Sequence, residues 1–149
     1  MYYKALEILK NNKDIEQLII SGSPFESFHF GYKIKKKHPS IQWIPDYRDE
    51  WTTFQDKQFD NFFFRILYYL HRYFEKKWTS NAECFITVSK KLVENIGNLI
   101  DKKGYVVMNG YEAIKVEPVQ THFEIFRLCY NGTLYAQQNF EILLNAYKR

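Results

Sequence analysis

The sequence predicts an α/β fold built on a mainly parallel sheet, and three observations lead there. Short apolar or β-branched runs, QLIIS, IQWIP, ECFITVS and YVVM, alternate with longer segments of helical spacing; strands alternating with helices imply right-handed crossovers between parallel strands. The first run passes into a helix through Ser21-Gly22-Ser23-Pro24, a tight strand-to-helix turn. Aromatic residues make up 19% of the 149 positions, with 13 Phe and 12 Tyr, enough large side chains to fill the core of one domain. The expected architecture is a Rossmann-like three-layer unit.

Taken in order, residues 2–12 place Ala5, Leu6, Ile8 and Leu9 at helical spacing before the Asn11-Asn12 stop. After QLIIS, Ser23 and Glu26 have capping-box spacing with Pro24 at the first helical position, which predicts a helix over 24–37 ending in KIKKKHP. IQWIP is the second strand. The charged DYRDEW follows it and opens a loop of about ten residues, longer than most such connections. Residues 59–79 read as a helix with Phe63, Leu67, Leu70, Phe74 and Trp78 on its inner stripe. ECFITVS is a buried strand, Ser89 caps the helix KKLVENIGNLI, and Gly104 opens the strand YVVM, which ends at Asn109-Gly110. The segment EAIKVEPVQTHF has no clear period and reads as a connector. Beyond it, EIFRLCYNG and QQNFEILLNAYKR form one more strand and helix, with Ile142, Leu143 and Ala146 facing inward.

The net charge of +4, from 21 basic and 17 acidic residues, suits anionic ligands or a membrane surface and falls short of a nucleic-acid footprint. Cys84 and Cys129 each sit in an apolar run and read as small buried hydrophobes in a reducing compartment; no metal-ligand spacing is present. The N-terminus lacks a charged-then-apolar signal layout, and no stretch reaches the roughly 18 apolar residues of a spanning helix. The chain is therefore expected in the cytoplasm.

Three stretches carry candidate chemistry. In SGSPFES, the helix start after Gly22 and Ser23 favours phosphate or sugar hydroxyls, or is only a well-capped helix; His29 follows within the same helix. In DYRDEW, Asp46 and Asp49 flank Arg48, which permits an arginine clamp on a ligand or a carboxylate that orients a hydroxyl. It equally permits a self-satisfied Asp-Arg network with Trp51 plugged into the core, and the residues alone leave both open. A third option pairs Asp46 and Asp49 about a metal in another phosphate-handling α/β enzyme. The helix 59–79, aromatic and basic together, reads as a buried crossover helix, and its composition also suits an interfacial membrane contact or the partner surface of a non-catalytic interaction module.

In this order, SGSPFESFHFGYKIKKK, WIPDYRDEW, EKKWTSNAECFITVSKKL, VVMNGYE and YNGTLYAQQNFEILLNAYKR resemble the family 4-type glycosyltransferases of GT-B architecture, two Rossmann-like domains facing across a cleft. The resemblance implies that residues 1–118 are part of the acceptor-side N-terminal domain with the start of a linker. Residues 119–149 would be the linker end and first β-α unit of the donor-side domain, so that the chain is an incomplete half of the fold. It implies transfer of a sugar from a nucleotide-diphosphate sugar, the co-substrate, to a hydroxyl of a sugar or lipid-linked glycan acceptor, with retention and without a metal or a tightly bound cofactor. It places Arg48, Asp49 and His29 in catalytic roles, and Gly22, Ser23, Asp46, Asn109, Gly110, Gly132 and Thr133 at acceptor or diphosphate contacts. Glu50 stands where the family pattern has proline, and Gln137 and Gln138 stand where it often has a basic residue. The chain alone is expected to be inactive, to sit at the inner membrane face if it meets a membrane, and to dimerise through the orphan C-terminal β-α unit.

Overall fold

A computed structural model describes residues 2–53, 61–110, 129–133 and 139–147. The chain divides into two compact units, Met1–Tyr111 and Glu112–Arg149. The first is α/β, a four-stranded, all-parallel sheet flanked by helices, in keeping with the expected Rossmann-like unit. Its elements are α1 (Tyr2–Asn11), β1 (Gln17–Gly22), a 3₁₀ turn (Phe25–Ser27), α2 (Phe28–Lys37), β2 (Gln42–Tyr47), α3 (Phe62–Thr79), β3 (Phe85–Thr87), α4 (Lys90–Ile100) and β4 (Gly104–Val106). The strands lie side by side in chain order.

The strand register sorts side chains onto two faces. Leu18 pairs with Trp43, Gly22 with Tyr47, Tyr47 with Thr87 and Phe85 with Gly104, so these residues share one face. Against it pack Phe28 of α2 and Ile96, Leu99 and Ile100 of α4, with Trp78 of α3 partly buried beside them. When successive right-handed crossovers step the same way across a sheet, their helices fall on the same side. The core is aromatic: Phe28 meets Tyr47 edge-on at 4.9 Å, and Tyr47 meets Phe85 edge-on at 5.8 Å. The buried Trp43 indole donates to Asn81 Oδ1 at 3.0 Å, and Asn81 in turn donates to the Tyr32 carbonyl, so the polar tip of a core tryptophan is satisfied. The other face carries Ile19, Ile44, Ile86 and Tyr105 in register, with Ile19 and Tyr105 exposed. Leu9 of α1 forms a second small cluster with Ile34 and Ile41.

Several local expectations need correction. The capping box on Ser23 and Glu26 does not form: residues 25–27 make a 3₁₀ turn, and α2 begins at Phe28 with no side-chain cap. Ser27 Oγ instead donates to the Pro24 carbonyl at 2.8 Å. Ser89 does cap α4, accepting from the Leu92 amide. Strand β2 extends through Asp46 and Tyr47, so the first third of DYRDEW is sheet and not loop. Neither described cysteine is buried: Cys84 is intermediate and Cys129 exposed.

The largest departure is the rotation of α3. Asn61 caps it, accepting from the Phe63 amide at 2.9 Å. The expected inner stripe is largely outside: Phe63, Leu67 and Leu70 are exposed, whereas Glu75 and Thr79 are buried. Tyr68, His71 and Arg72 lie on the same inward side. At about 100° per residue, the helix is turned roughly one residue step from where apolarity alone would set it. In the second unit, residues 124–128 of the expected strand lie outside the described residues, and 129–132 are not strand. Its helix α5 (Phe140–Tyr147) leaves Ile142, Leu143 and Ala146 exposed rather than inward.

Candidate functional site

The C-terminal edge of a parallel sheet is where backbone ends and loops converge, and where open α/β folds bind ligands. Here Ser21 of β1 stands beside Asp46 of β2, in register. Ser21 donates its hydroxyl to Asp46 Oδ2 at 2.7 Å, and Arg48 Nε donates to the same oxygen at 2.8 Å. The other arm of that guanidinium, Nη1, donates to Asn109 Oδ1 at 2.7 Å, just beyond β4. A polar chain thus crosses the sheet edge from β1 to the segment after β4. Asp46 is 2% exposed, and its Oδ1 has no hydrogen-bond partner among the described residues. Two donors share one oxygen while the other lone pairs stay unmet, although buried acceptors are normally satisfied.

The structure brings together three predicted residues, Asp46, Arg48 and Asn109, and adds Ser21. Ser21 enters only through the register that sets it opposite Asp46. Asp49 is exposed and has no partner among the described residues. Glu50 accepts from Asn95 Nδ2 of α4 at 2.9 Å, so this loop position is anchored by a side chain. Gly22 has a packing reason: a Cβ there would lie 2.5 Å from Cδ1 of Phe25. At Gly110 a Cβ would meet nothing within 4 Å, so packing does not demand glycine at this position. Ser23 opens, with Ser21, onto a groove of about 590 Å³ walled by Tyr2, Leu18, Phe30 and Ile34.

His29 stacks on Trp78 of α3, 5.1 Å between centroids and 22° between planes. Partial burial, and then the charges of Lys33 and Lys77, lower its pKa from the ordinary imidazole value, which favours the neutral ring. Gly132 and Thr133 belong to the second unit, where the Tyr130 hydroxyl donates to the Thr133 carbonyl at 3.1 Å. Among the described residues no group of three His, Cys, Asp or Glu side chains gathers to hold a metal, and the Asp46 carboxylate is already engaged by Arg48.

Beneath the edge lies a polar cluster barely signalled by the residue pattern. Trp51 stacks parallel to Phe25 at 5.2 Å and on Trp78 at 5.6 Å, and its indole donates to His71 Nδ1 at 3.1 Å. Its plug-like packing matches the scaffold reading of the loop. Thr52 is buried and donates to Glu75, while its carbonyl accepts from the Tyr68 hydroxyl at 3.0 Å. Burial raises the Glu75 carboxyl above its ordinary pKa against the opposing effect of the Thr52 hydrogen bond, and burial followed by the Glu75 charge raises the Tyr47 phenol. A lone acid inside an aromatic helix was the one sequence signal for this cluster.

Comparisons of the chain with protein-family models, with curated proteins and with solved structures find no match. Within the described residues no helix is long and apolar enough to cross a membrane.

Proposed function

We propose that this chain is the acceptor-side part of a glycosyltransferase, which moves a sugar from a nucleotide-diphosphate sugar to the hydroxyl of a sugar or lipid-linked glycan acceptor, with retention and without a metal. The observation that carries the reading is the chain Ser21–Asp46–Arg48–Asn109 at the strand ends, with one buried oxygen of Asp46 unpartnered among the described residues. Its chemistry suits a polyhydroxyl or diphosphate ligand. The guanidinium is about a third exposed and supplies directed donors for phosphate oxygens. The buried Asp46 carboxylate orients that guanidinium, and the exposed Asp49 offers an acceptor nearby in sequence. Catalysis in such a site comes chiefly from orientation and from stabilising a leaving diphosphate.

Thermal unfolding with UDP, GDP and their sugar conjugates tests this, because a ligand that binds only the folded chain raises its stability by about 2.7 kcal/mol at a hundredfold excess over Kd. The expected result is stabilisation by one nucleotide family that Arg48→Ala abolishes. Equal melting of the parent chain with and without every nucleotide and glycan tried would overturn the reading.

A further inference from the structure

The rotation of α3 leaves an apolar edge exposed among the described residues of the first unit. Phe62, Ile66, Tyr69, Leu70 and Tyr73 recur at helical spacing along the outward side, and their exposure runs from 43% at Ile66 to 67% at Phe62. Isolated exposed apolar residues are ordinary, but a contiguous strip several turns long marks an interaction surface. The strip is held outward. Thr52 bonds Glu75, the Thr52 carbonyl bonds Tyr68 and Trp51 bonds His71, so turning the aromatic edge inward would break each of these contacts.

Charge decides what fits there. Within α3 the cations are Arg65, Arg72, Lys76 and Lys77, and the single carboxylate, Glu75, is buried. Arg65 sits over the Phe62 ring and Lys77 over the Tyr73 ring, each at 5.4 Å. Cations therefore flank the apolar strip at both ends, with no exposed acid on the helix. A second copy laid antiparallel would set the Arg65 end of one helix against the Lys76–Lys77 end of the other; laid parallel, each cation would face its own image. Self-association is opposed in either sense. An anionic bilayer answers both features, since rings and aliphatic side chains enter the headgroup boundary while flanking lysine and arginine reach lipid phosphates.

We propose that α3 lies along the interface of an anionic lipid bilayer, its Phe62–Tyr73 edge in the headgroup boundary and Arg65, Lys76 and Lys77 at the phosphates. This does not depend on what binds at the sheet edge. Sedimentation of the full chain with phosphatidylcholine vesicles, with and without phosphatidylglycerol, tests it. Binding is expected to the anionic vesicles and to weaken with salt. Phe62→Ser with Ile66→Ser and Tyr73→Ser should weaken it at least about tenfold, and so should Arg65→Glu with Lys76→Glu and Lys77→Glu. All six positions are outside the core, and circular dichroism and melting check that the variants fold. Lys33→Glu with Lys36→Glu on α2 should have the smaller effect. The proposal is overturned by absence of binding to anionic vesicles, by equal binding of folded α3 variants, by a larger loss from the α2 pair, or by a concentration-dependent dimer that the aromatic variant dissolves.

Discussion

Arg48 reaches the nearly buried carboxylate of Asp46 with its Nε at 2.8 Å, and this contact fixes the charge balance of the whole sheet edge. Removing the guanidinium strands a buried charge that retains one hydroxyl donor. Such a loss costs about 1–3 kcal/mol, with the partial exposure of Arg48 holding it below the cost of a fully buried pair. Arg48→Ala should lower unfolding stability by about 2 kcal/mol in urea titrations, and adding Asp46→Asn should recover part of it. A change within about 0.5 kcal/mol for the single variant would show that the pair is not what holds Asp46.

Glu75 makes a pH prediction. Its folded pKa is raised, chiefly by burial, so the folded chain holds this proton more tightly than the unfolded one. The stabilisation is present below the unfolded pKa and is lost as pH rises through the folded pKa. Glu75→Gln keeps an acceptor for Thr52 and never has to bury a charge. It should be more stable than the parent at neutral pH, with the advantage fading towards about pH 4, where Glu75 is protonated in both states. Urea midpoints across that range measure it, and a pH-independent difference would contradict it.

Trp51 joins the loop to the core through two stacked rings and a hydrogen bond. Trp51→Ala should cost about 3 kcal/mol, the low end for a large aromatic because the residue is only partly buried. Differential scanning calorimetry gives the check. A melting point within experimental error of the parent would mean that the stack contributes nothing.

Gly31 predicts a substitution with the opposite sign from its helix propensity. Alanine in mid-helix ordinarily gains up to about 1 kcal/mol over glycine. Here the new Cβ would lie 2.5 Å from Cε3 of Trp43, a wholly buried ring with no room to retreat. Gly31→Ala should therefore destabilise by about 1–3 kcal/mol, read as a lower urea midpoint. A more stable variant would mean that α2 shifts away from the sheet at little cost.

The strand-and-helix order was legible because the runs around Leu18, Trp43 and Phe85 sit between sharp turn and capping signals, and Ser89 announced α4 unambiguously. Helix α3 was legible in extent and misleading in face. Its apolar residues outnumber the places where a core could take them, so periodicity could not say which stripe goes in. The decision lay with hydrogen bonds from Thr52 and Trp51, residues remote in sequence from Glu75 and His71. Strand β2 ran further than expected because Asp46, a poor strand former alone, is stabilised by Ser21 and Arg48. Of the candidate site, Asp46, Arg48 and Asn109 came from sequence pattern. Ser21 needed the register of two strands, which no local pattern encodes.

The segment from Arg48 to Thr52 is fastened almost residue by residue to different parts of the unit: Arg48 to Asn109, Glu50 to Asn95, Trp51 to His71 and Thr52 to Glu75. A tether so short and so often pinned has no slack. Through it α3, α4 and the segment after β4 are all tied to the few residues that follow Asp46, so that five consecutive positions brace three separate elements at the strand edge.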